Sequence, residues 1–188
     1  DYADSLHEHL PAQAELDLQR EKPLNPAPLV SVAIACSGAS RAAVRSTLEA
    51  LGKQTYANFE VCVVSELAQA GLTDYEGIPK FRLVLFNGTA HEQLKAAEKM
   101  LNGAYFLQLL PGDLPAPDAL HMLVLQTHSN PEAEVVFADE DSVIDGIRQN
   151  PIFKPDYGRD TLRSFNSIGR PMLVSKRVHT AVGGFRGS

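Results

Sequence analysis

Several features are scarce in this sequence, and each scarcity excludes a class of protein. Only two cysteines occur, Cys36 and Cys62, and both stand inside apolar segments, which predicts reduced thiols in the core of a cytosolic protein. Basic residues number 17 against 23 acidic ones, so the net charge is −6. The chain therefore lacks the broad basic surface that attracts nucleic acid or anionic lipid, and we expect no nucleic-acid partner.

Apolar runs long enough to cross a membrane are also missing from the sequence. The N-terminal segment "DYADSLHEHL" is acidic and has no signal-peptide core. We therefore expect a cytoplasmic location, or one at the inner face of the membrane through other parts of a longer protein.

Common nucleotide-binding and nucleophile motifs are absent as well. The segment "CSGASRA" after the first apolar run has one glycine, where a dinucleotide-binding loop needs three. There is no phosphate-binding P-loop and no G-x-S-x-G nucleophile elbow. Neither cysteine has a histidine nearby in sequence, and the six histidines are interpreted as surface residues.

The pattern that is present alternates strands with helices. Residues 1–28 form a polar lead-in that ends in a proline-rich linker, and a domain is predicted from residue 29 to residue 188. Amphipathic helices separate most of the predicted strands, which cover residues 29–36, 59–65, 81–86, 104–110 and 133–139. This order predicts an α/β fold with a mostly parallel sheet, whose ligands bind beyond the carboxyl ends of the strands.

Acidic residues follow two of these strands. Asp113 comes after the fourth strand, and Asp139, Glu140 and Asp141 come after the fifth. Alternation along an extended segment would turn Asp139 and Asp141 to one side and Glu140 to the other. Such carboxylates could bind a divalent cation or sugar hydroxyls, and the alternative is a solvated acidic loop.

Four motifs in a fixed order then become recognisable: "QTYANFEV", "DEDS", "FKPD" and "VGGFR". Together they resemble the family-2 glycosyltransferases, in particular the bacterial branch that builds O-antigens and other surface polysaccharides. The resemblance spans about residues 28–186 and implies the GT-A fold, in which helices flank both faces of the sheet in three layers.

The resemblance implies transfer of a sugar from a nucleotide diphosphate sugar to a glycan or lipid-linked acceptor. A divalent metal, Mn²⁺ or Mg²⁺, neutralises the diphosphate in this family, and an acidic residue takes the proton of the acceptor. That acidic residue is expected beyond the "GGF" turn, in a D-x-D or E-D segment, so no catalytic residue is assigned here. A larger parent protein could hold further domains.

Site residues follow from matching the motifs position by position. On the nucleotide-sugar side the resemblance points to Ser37, Glu66, Lys95 and Asp113. On the sugar or acceptor side it points to Asp139, Glu140, Asp141, Lys154 and Asp156.

The metal-binding D-x-D-D of the family falls on Leu110-Pro111-Gly112-Asp113, so Asp113 is the single candidate metal ligand and metal binding is expected to be weak or absent. The Pro-Gly pair predicts a type II turn that keeps the loop in shape.

Two other functions remain open at this stage. The domain could have lost catalysis and act as a scaffold or sugar-recognition module in a multidomain protein, as the altered strand ends suggest. An unrelated metal-dependent hydrolase using Asp113, Asp139 and Asp141 is the third interpretation.

Overall fold

Strand β1, Val30–Ala35, is buried on both faces and forms the centre of the molecule. Val30, Val32 and Ile34 face one side of the sheet, and Ala33 and Ala35 face the other. Its neighbours on either side are parallel: β2, Phe59–Ser65, and β4, Tyr105–Leu109. Buried β-branched side chains on both faces are typical of a parallel strand covered by two helical layers.

The computed structural model describes residues 10–66, 78–156, 158–164 and 168–185. Residues 1–9 of the predicted lead-in, with His7 and His9, lie outside the described residues, as do residues 186–188 at the end of the "VGGFR" motif.

The sheet of six strands has the order β3-β2-β1-β4-β8-β5. β3, Phe81–Leu85, is parallel to β2, whereas β8, Met172–Ser175, runs antiparallel between β4 and β5, Val135–Phe137. The predicted mostly parallel sheet is confirmed. β8 was not predicted, because four residues are too few to show a periodic pattern.

Helices cover both faces of this sheet, which confirms the three-layer α/β/α arrangement. The helices of the described residues are α1 Gln13–Glu21, α2 Arg41–Leu51, α3 Ala90–Glu98, α4 Ala119–Ser129, α5 Arg159–Ser164 and α6 Lys176–Ala181. α2 and α4 contribute to the core on the Val30 side, while α3 and α6 lie on the Ala33 side, where His179 of α6 stacks on Phe106.

Local sequence signals account for the starts of two of these helices. The Ser40 hydroxyl accepts a hydrogen bond from Ala43 N–H at the start of α2. Thr89 and Glu92 form a capping box at the start of α3. Each cap pairs backbone N–H groups that have no partner within the helix.

The lead-in packs on the domain through α1 and the linker that follows it. Gln19 of α1 is buried and accepts a hydrogen bond from the Thr55 hydroxyl at 2.6 Å. The Tyr56 hydroxyl donates to Pro28 O, and the Asn58 side chain donates to Ala27 O at 2.6 Å. The "QTYANFEV" motif therefore anchors residues 10–28, and the predicted boundary at residue 28 stays a prediction.

A two-stranded hairpin that was not predicted follows β5. It consists of β6, Glu140–Ile144, and β7, Ile147–Ile152, joined by Asp145 and Gly146, which both have positive φ. An Asp-Gly pair between two short strands is a strong hairpin signal, so this element was accessible from the sequence.

The two cysteines are free and buried, as predicted. Burial raises the pKa of Cys36 and of Cys62 to about 11, so both thiols stay protonated at neutral pH. The prediction of surface histidines is wrong for His121 and His179, which are buried. Aromatic packing and a hydrogen bond to Glu98 at 3.1 Å place the His179 ring inside.

None of the helices in the described ranges is long and apolar enough to cross a membrane.

The segment Leu110–Asp113 is a turn at the carboxyl end of β4. Asp113 N–H donates to Leu110 O at 3.0 Å, and Gly112 has a φ of 99°, as in the predicted type II turn. The Asp113 carboxylate accepts a hydrogen bond from Leu110 N–H at 2.8 Å. Gly112 N–H donates hydrogen bonds to two groups of α2, Ala43 O at 3.0 Å and the Thr47 hydroxyl oxygen at 2.8 Å. These bonds fix the turn to the scaffold.

At the opposite end of the strands, a buried polar network joins β1, β2, β3 and the loop that precedes β4. Glu60 accepts hydrogen bonds from the Ser31 hydroxyl at 2.7 Å, Asn102 N–H at 2.6 Å and the Arg82 guanidinium at 2.7 Å. Burial by itself raises the pKa of Glu60, but these hydrogen bonds and the charge of Arg82 outweigh burial and hold the pKa below its ordinary value. The network is structural, because ligands bind at the other edge.

We expect Gly112→Ala to lower the free energy of unfolding by about 1–2 kcal/mol, because an alanine is strained at positive φ. A Cβ there would meet Ala43 Cβ at 3.9 Å, so steric overlap adds little. The measurement is urea unfolding. The matched control is Gly52→Ala, whose backbone is right-handed with φ −61°, and which should show no loss. Equal effects of the two substitutions would contradict the strained-turn interpretation.

We expect the free energy of unfolding to fall as the pH drops below about 4.5. The reason is that the pKa of Glu60 is lowered in the folded state and has its ordinary value in the unfolded state, so acid favours the unfolded state. Glu60→Gln should cost about 1–3 kcal/mol at neutral pH and flatten this acid dependence. Chemical unfolding between acidic and neutral pH measures both.

The control for Glu60 is Glu49→Gln, since Glu49 makes one exposed pair with Arg45. It should change the free energy of unfolding by less than about 0.5 kcal/mol. An unchanged acid dependence in Glu60→Gln would show that other groups cause it.

Candidate functional site

A cleft of about 760 Å³ opens beside the carboxyl end of β4. Its walls come from the segment after the Leu110–Asp113 turn, from α4, from β5 and from the start of the hairpin. The residues of the predicted site that line it are all acidic: Asp113, Asp139, Glu140, Asp141 and Asp156. Residues separated by more than 40 positions in the sequence are thereby brought to one cavity.

All three acids of the "DEDS" motif line this cleft. Simple alternation would have turned Glu140 away from Asp139 and Asp141. A register shift between Glu140 and Ser142 interrupts the regular pairing of the hairpin, which is the irregularity expected of a β-bulge.

Three cations pair with acids of the cleft. The Arg170 Nε lies 3.1 Å from Asp113 Oδ2, and the Arg148 Nε lies 2.7 Å from Asp141 Oδ2. The Lys154 ammonium lies 3.4 Å from Glu140 Oε1. The charges of these three carboxylates are therefore compensated locally.

Lys154, the lysine of the "FKPD" motif, is the most enclosed of these cations. Its side chain is 2% exposed, and its ammonium donates to Arg170 O at 2.5 Å. Its backbone N–H donates to Asp139 Oδ1 at 2.8 Å. Lys154 therefore connects the "DEDS" segment to the segment that carries Arg170, and Lys154 itself is not part of the cleft lining.

Asp139 and Asp156 are the exposed acids of the cleft. Among the ion pairs found in the described ranges, neither carboxylate has a cation partner. An exposed carboxylate that is not paired with a cation is a strong acceptor of hydrogen bonds from hydroxyl groups.

The remaining predicted residues lie in two other places. The Ser37 hydroxyl lies 3.3 Å from Glu66 Oε1, so the loops after β1 and β2 meet, as expected for neighbouring parallel strands. Lys95 is not brought to the cleft. Its ammonium contacts Gly183 O and Glu98 Oε2, on the face of the sheet that α3 covers.

A second cleft, of about 1160 Å³, lies between α3, β4, β8 and α6. Its lining is largely apolar, and none of the predicted site residues lines it. His179 lies there, and burial lowers its pKa, although the neighbouring Glu98 acts in the opposite direction. We therefore place the candidate site in the acidic cleft.

A divalent metal does not fit the residues of the turn. Leu110, Pro111 and Gly112 supply no carboxylate, and the Asp113 carboxylate already accepts hydrogen bonds from Leu110 N–H and Arg170 Nε. Within residues 10–66, 78–156, 158–164 and 168–185, no group of three or more His, Cys, Asp or Glu could hold a metal ion. A hard cation requires several oxygen ligands, and the described residues do not supply such a set for a metal-using transferase or for the hydrolase interpretation.

Two functional candidates, Arg148 and Arg170, were missed in the sequence. The Asp-Gly hairpin signal would have placed Arg148 on the strand opposite Asp141, from which it is separated by only seven residues. Arg170 meets Asp113 across 57 residues, and no local pattern indicates that contact.

No protein-family model matches the chain. It is 31% identical over 168 residues to the uncharacterized protein y4gI of Sinorhizobium fredii, covering 85% of this chain and 18% of that protein. It is 26% identical over 168 residues to the O-antigen biosynthesis protein RfbC of Myxococcus xanthus, covering 85% of this chain and 13% of that protein. The chain thus spans less than a fifth of the length of either relative.

Among solved structures, the chain is similar to the mannosyltransferase PcManGT of Pyrobaculum calidifontis, which was solved with GDP-Man and Mn²⁺. The TM-score is 0.54 at 17% identity, and the match covers 91% of this chain and 53% of that one. A match of this kind establishes the fold. The resemblance predicted from the motifs is confirmed: the chain has the GT-A fold of the glycosyltransferases and is related in sequence to a bacterial O-antigen biosynthesis protein.

Proposed function

We propose that this chain is the nucleotide-sugar-binding domain of a family-2 glycosyltransferase of bacterial polysaccharide biosynthesis. Transfer would proceed from a nucleotide diphosphate sugar to a hydroxyl of a glycan or lipid-linked acceptor. The observation that carries the proposal is the acidic cleft beside β4, which brings the "DEDS" and "FKPD" motifs to the loop where the family binds the diphosphate.

Each group of residues has a role in this proposal. Ser37 and Glu66, which meet beyond β1 and β2, would contact the nucleotide. Asp139 and Asp156 would accept hydrogen bonds from sugar hydroxyls, because they are exposed in the cleft. Lys154 would act indirectly, by fixing Asp139 and Glu140 in position.

The reaction is displacement at the anomeric carbon of the sugar. The oxygen of the acceptor hydroxyl forms the new bond, the nucleotide diphosphate leaves with the electrons of the broken bond, and a base takes the hydroxyl proton. We place that base beyond Gly184 and Phe185, in an acidic D-x-D or E-D segment of the kind that the resembling family carries after this turn. The chain's own contribution is to bind and orient the sugar nucleotide.

A cytoplasmic location, or attachment to the inner face of the membrane through other parts of the protein, belongs to the same proposal. The two buried, unpaired thiols support a reducing compartment.

A second function is favoured by one observation. The turn that holds a metal in the resembling family is here a closed structure, in which the Asp113 carboxylate accepts hydrogen bonds from Leu110 N–H and from Arg170 Nε. A GT-A domain of this kind could serve as a scaffold or a sugar-recognition module without transfer.

Binding experiments separate the two functions. Titration calorimetry of the chain with UDP-, GDP- and dTDP-sugars, and with the corresponding free oligosaccharides, measures which class binds. A transferase domain should bind at least one nucleotide sugar with a Kd below about 1 mM. Binding of free sugars alone would favour the recognition module, and binding of neither class would contradict the proposed function.

For the sugar side of the cleft, we expect Asp139→Asn to weaken binding of the preferred nucleotide sugar by about tenfold, because hydrogen bonds to a charged group are lost. Binding of the corresponding nucleoside diphosphate should change by less than about twofold, since Asp139 is assigned to the sugar.

The control is Asp17→Asn on α1, an exposed acid paired with Arg20. It should leave both affinities unchanged. An equal loss of affinity for the nucleotide sugar and for the nucleoside diphosphate in Asp139→Asn would show that Asp139 does not bind the sugar specifically.

A further inference from the structure

Arg170 stands at the turn where the resembling family places its metal-binding acids. Its Nε is hydrogen-bonded to Asp113 Oδ2 at 3.1 Å, and Asp113 is the last residue of the turn. A guanidinium therefore lies beside the carboxylate that would otherwise be the remaining metal ligand.

The position of Arg170 is fixed from both sides. The buried Lys154 ammonium donates to Arg170 O, while Asp113 holds the side chain. The preceding residue, Gly169, has a φ of 53°, and a Cβ there would stand 2.7 Å from Glu140 Oε1. The positive φ favours glycine at this position, whereas the Glu140 carboxylate is the end of a flexible side chain and could shift to admit a Cβ.

The outer edge of the guanidinium remains available to a ligand. The Arg170 side chain is 43% exposed and lines the cleft. Among the contacts within the described ranges, Nε makes the one side-chain hydrogen bond of Arg170, to Asp113. The two Nη groups form a planar fork whose geometry matches two phosphate oxygens.

We propose that Arg170 takes the place of the metal ion in this domain and binds the diphosphate of the nucleotide sugar directly. Asp113 is then the residue that positions the guanidinium and is not a metal ligand. The inference rests on the proposed function, and it states that diphosphate binding is independent of divalent metal.

Charge and geometry favour this assignment over a weak metal site. The carboxylate of Asp113 is compensated by Arg170, and that of Asp141 by Arg148, so the acids nearest to the two arginines do not leave an uncompensated charge for a cation. Arginine also stays protonated at any physiological pH and provides hydrogen bonds together with its charge.

The test measures binding of UDP, GDP, dTDP and inorganic pyrophosphate to the whole chain by calorimetry, in excess EDTA and in Mn²⁺. We expect the wild-type affinity for the preferred diphosphate to differ by less than about threefold between the two conditions. Arg170→Gln should weaken binding by about tenfold or more in EDTA, because a charge-assisted bidentate contact is lost. Arg170→Lys, which keeps the charge, should recover part of that loss.

Two further variants make the result specific. Arg20→Gln removes an arginine of equal exposure, 42%, from a surface pair on α1 and should have no effect. Asp113→Asn keeps an oxygen that can accept the bonds from Leu110 N–H and Arg170 Nε and removes one negative charge. Its affinity for the diphosphate should be the same in EDTA and in Mn²⁺, because no metal ligand has been removed.

Each opposite outcome overturns the inference. Binding by the wild type only in Mn²⁺, or a loss of Mn²⁺-supported binding in Asp113→Asn, would identify a metal site. Unchanged binding by Arg170→Gln would remove the arginine from the site. Absence of binding to every nucleotide in both conditions would overturn the proposed function as well, whereas the other outcomes leave it standing.

Discussion

The burial of β1 on both faces, between two parallel neighbours, is the constraint on which the rest of the structure depends. Parallel pairing with β2 and β4 brings the carboxyl ends of three strands to one edge of the sheet. The loop that starts with Cys36 and Ser37, the residue Glu66, and the turn that ends at Asp113 therefore lie at that edge. In open α/β sheets, ligands bind in the crevice outside the carboxyl ends of the strands.

The two edges of this sheet use polar residues in different ways. At the amino ends, the Glu60 carboxylate accepts hydrogen bonds from Ser31, Asn102 and Arg82, so its charge is compensated within the protein. At the carboxyl ends, acids and cations form pairs at the wall of a cleft, and Asp139 is exposed there. The Glu60 network joins neighbouring strands at the first edge, and the proposed ligand site lies at the second.

The turn after β4 keeps its shape although it lacks the metal-ligating acids of the resembling family. A Pro-Gly turn needs no metal, because Gly112 supplies the positive φ and Asp113 closes the loop by accepting from Leu110 N–H. The GT-A fold and the loss of the D-x-D acids are therefore compatible. A cation favours the binding of a diphosphate, and Arg170 is a cation that the structure places beside this turn.

Local patterns in the sequence are sufficient to predict the alternation of strands and helices, the amphipathic helices and the shape of the Leu110–Asp113 turn. These features depend on periodicity and on turn residues within a few positions of one another. The packing of distant segments is needed to show that β8 separates β4 from β5, that His179 is buried, and that Arg170 contacts Asp113. Such contacts join residues far apart in the chain, and a local sequence pattern does not indicate which distant residue will pack against it.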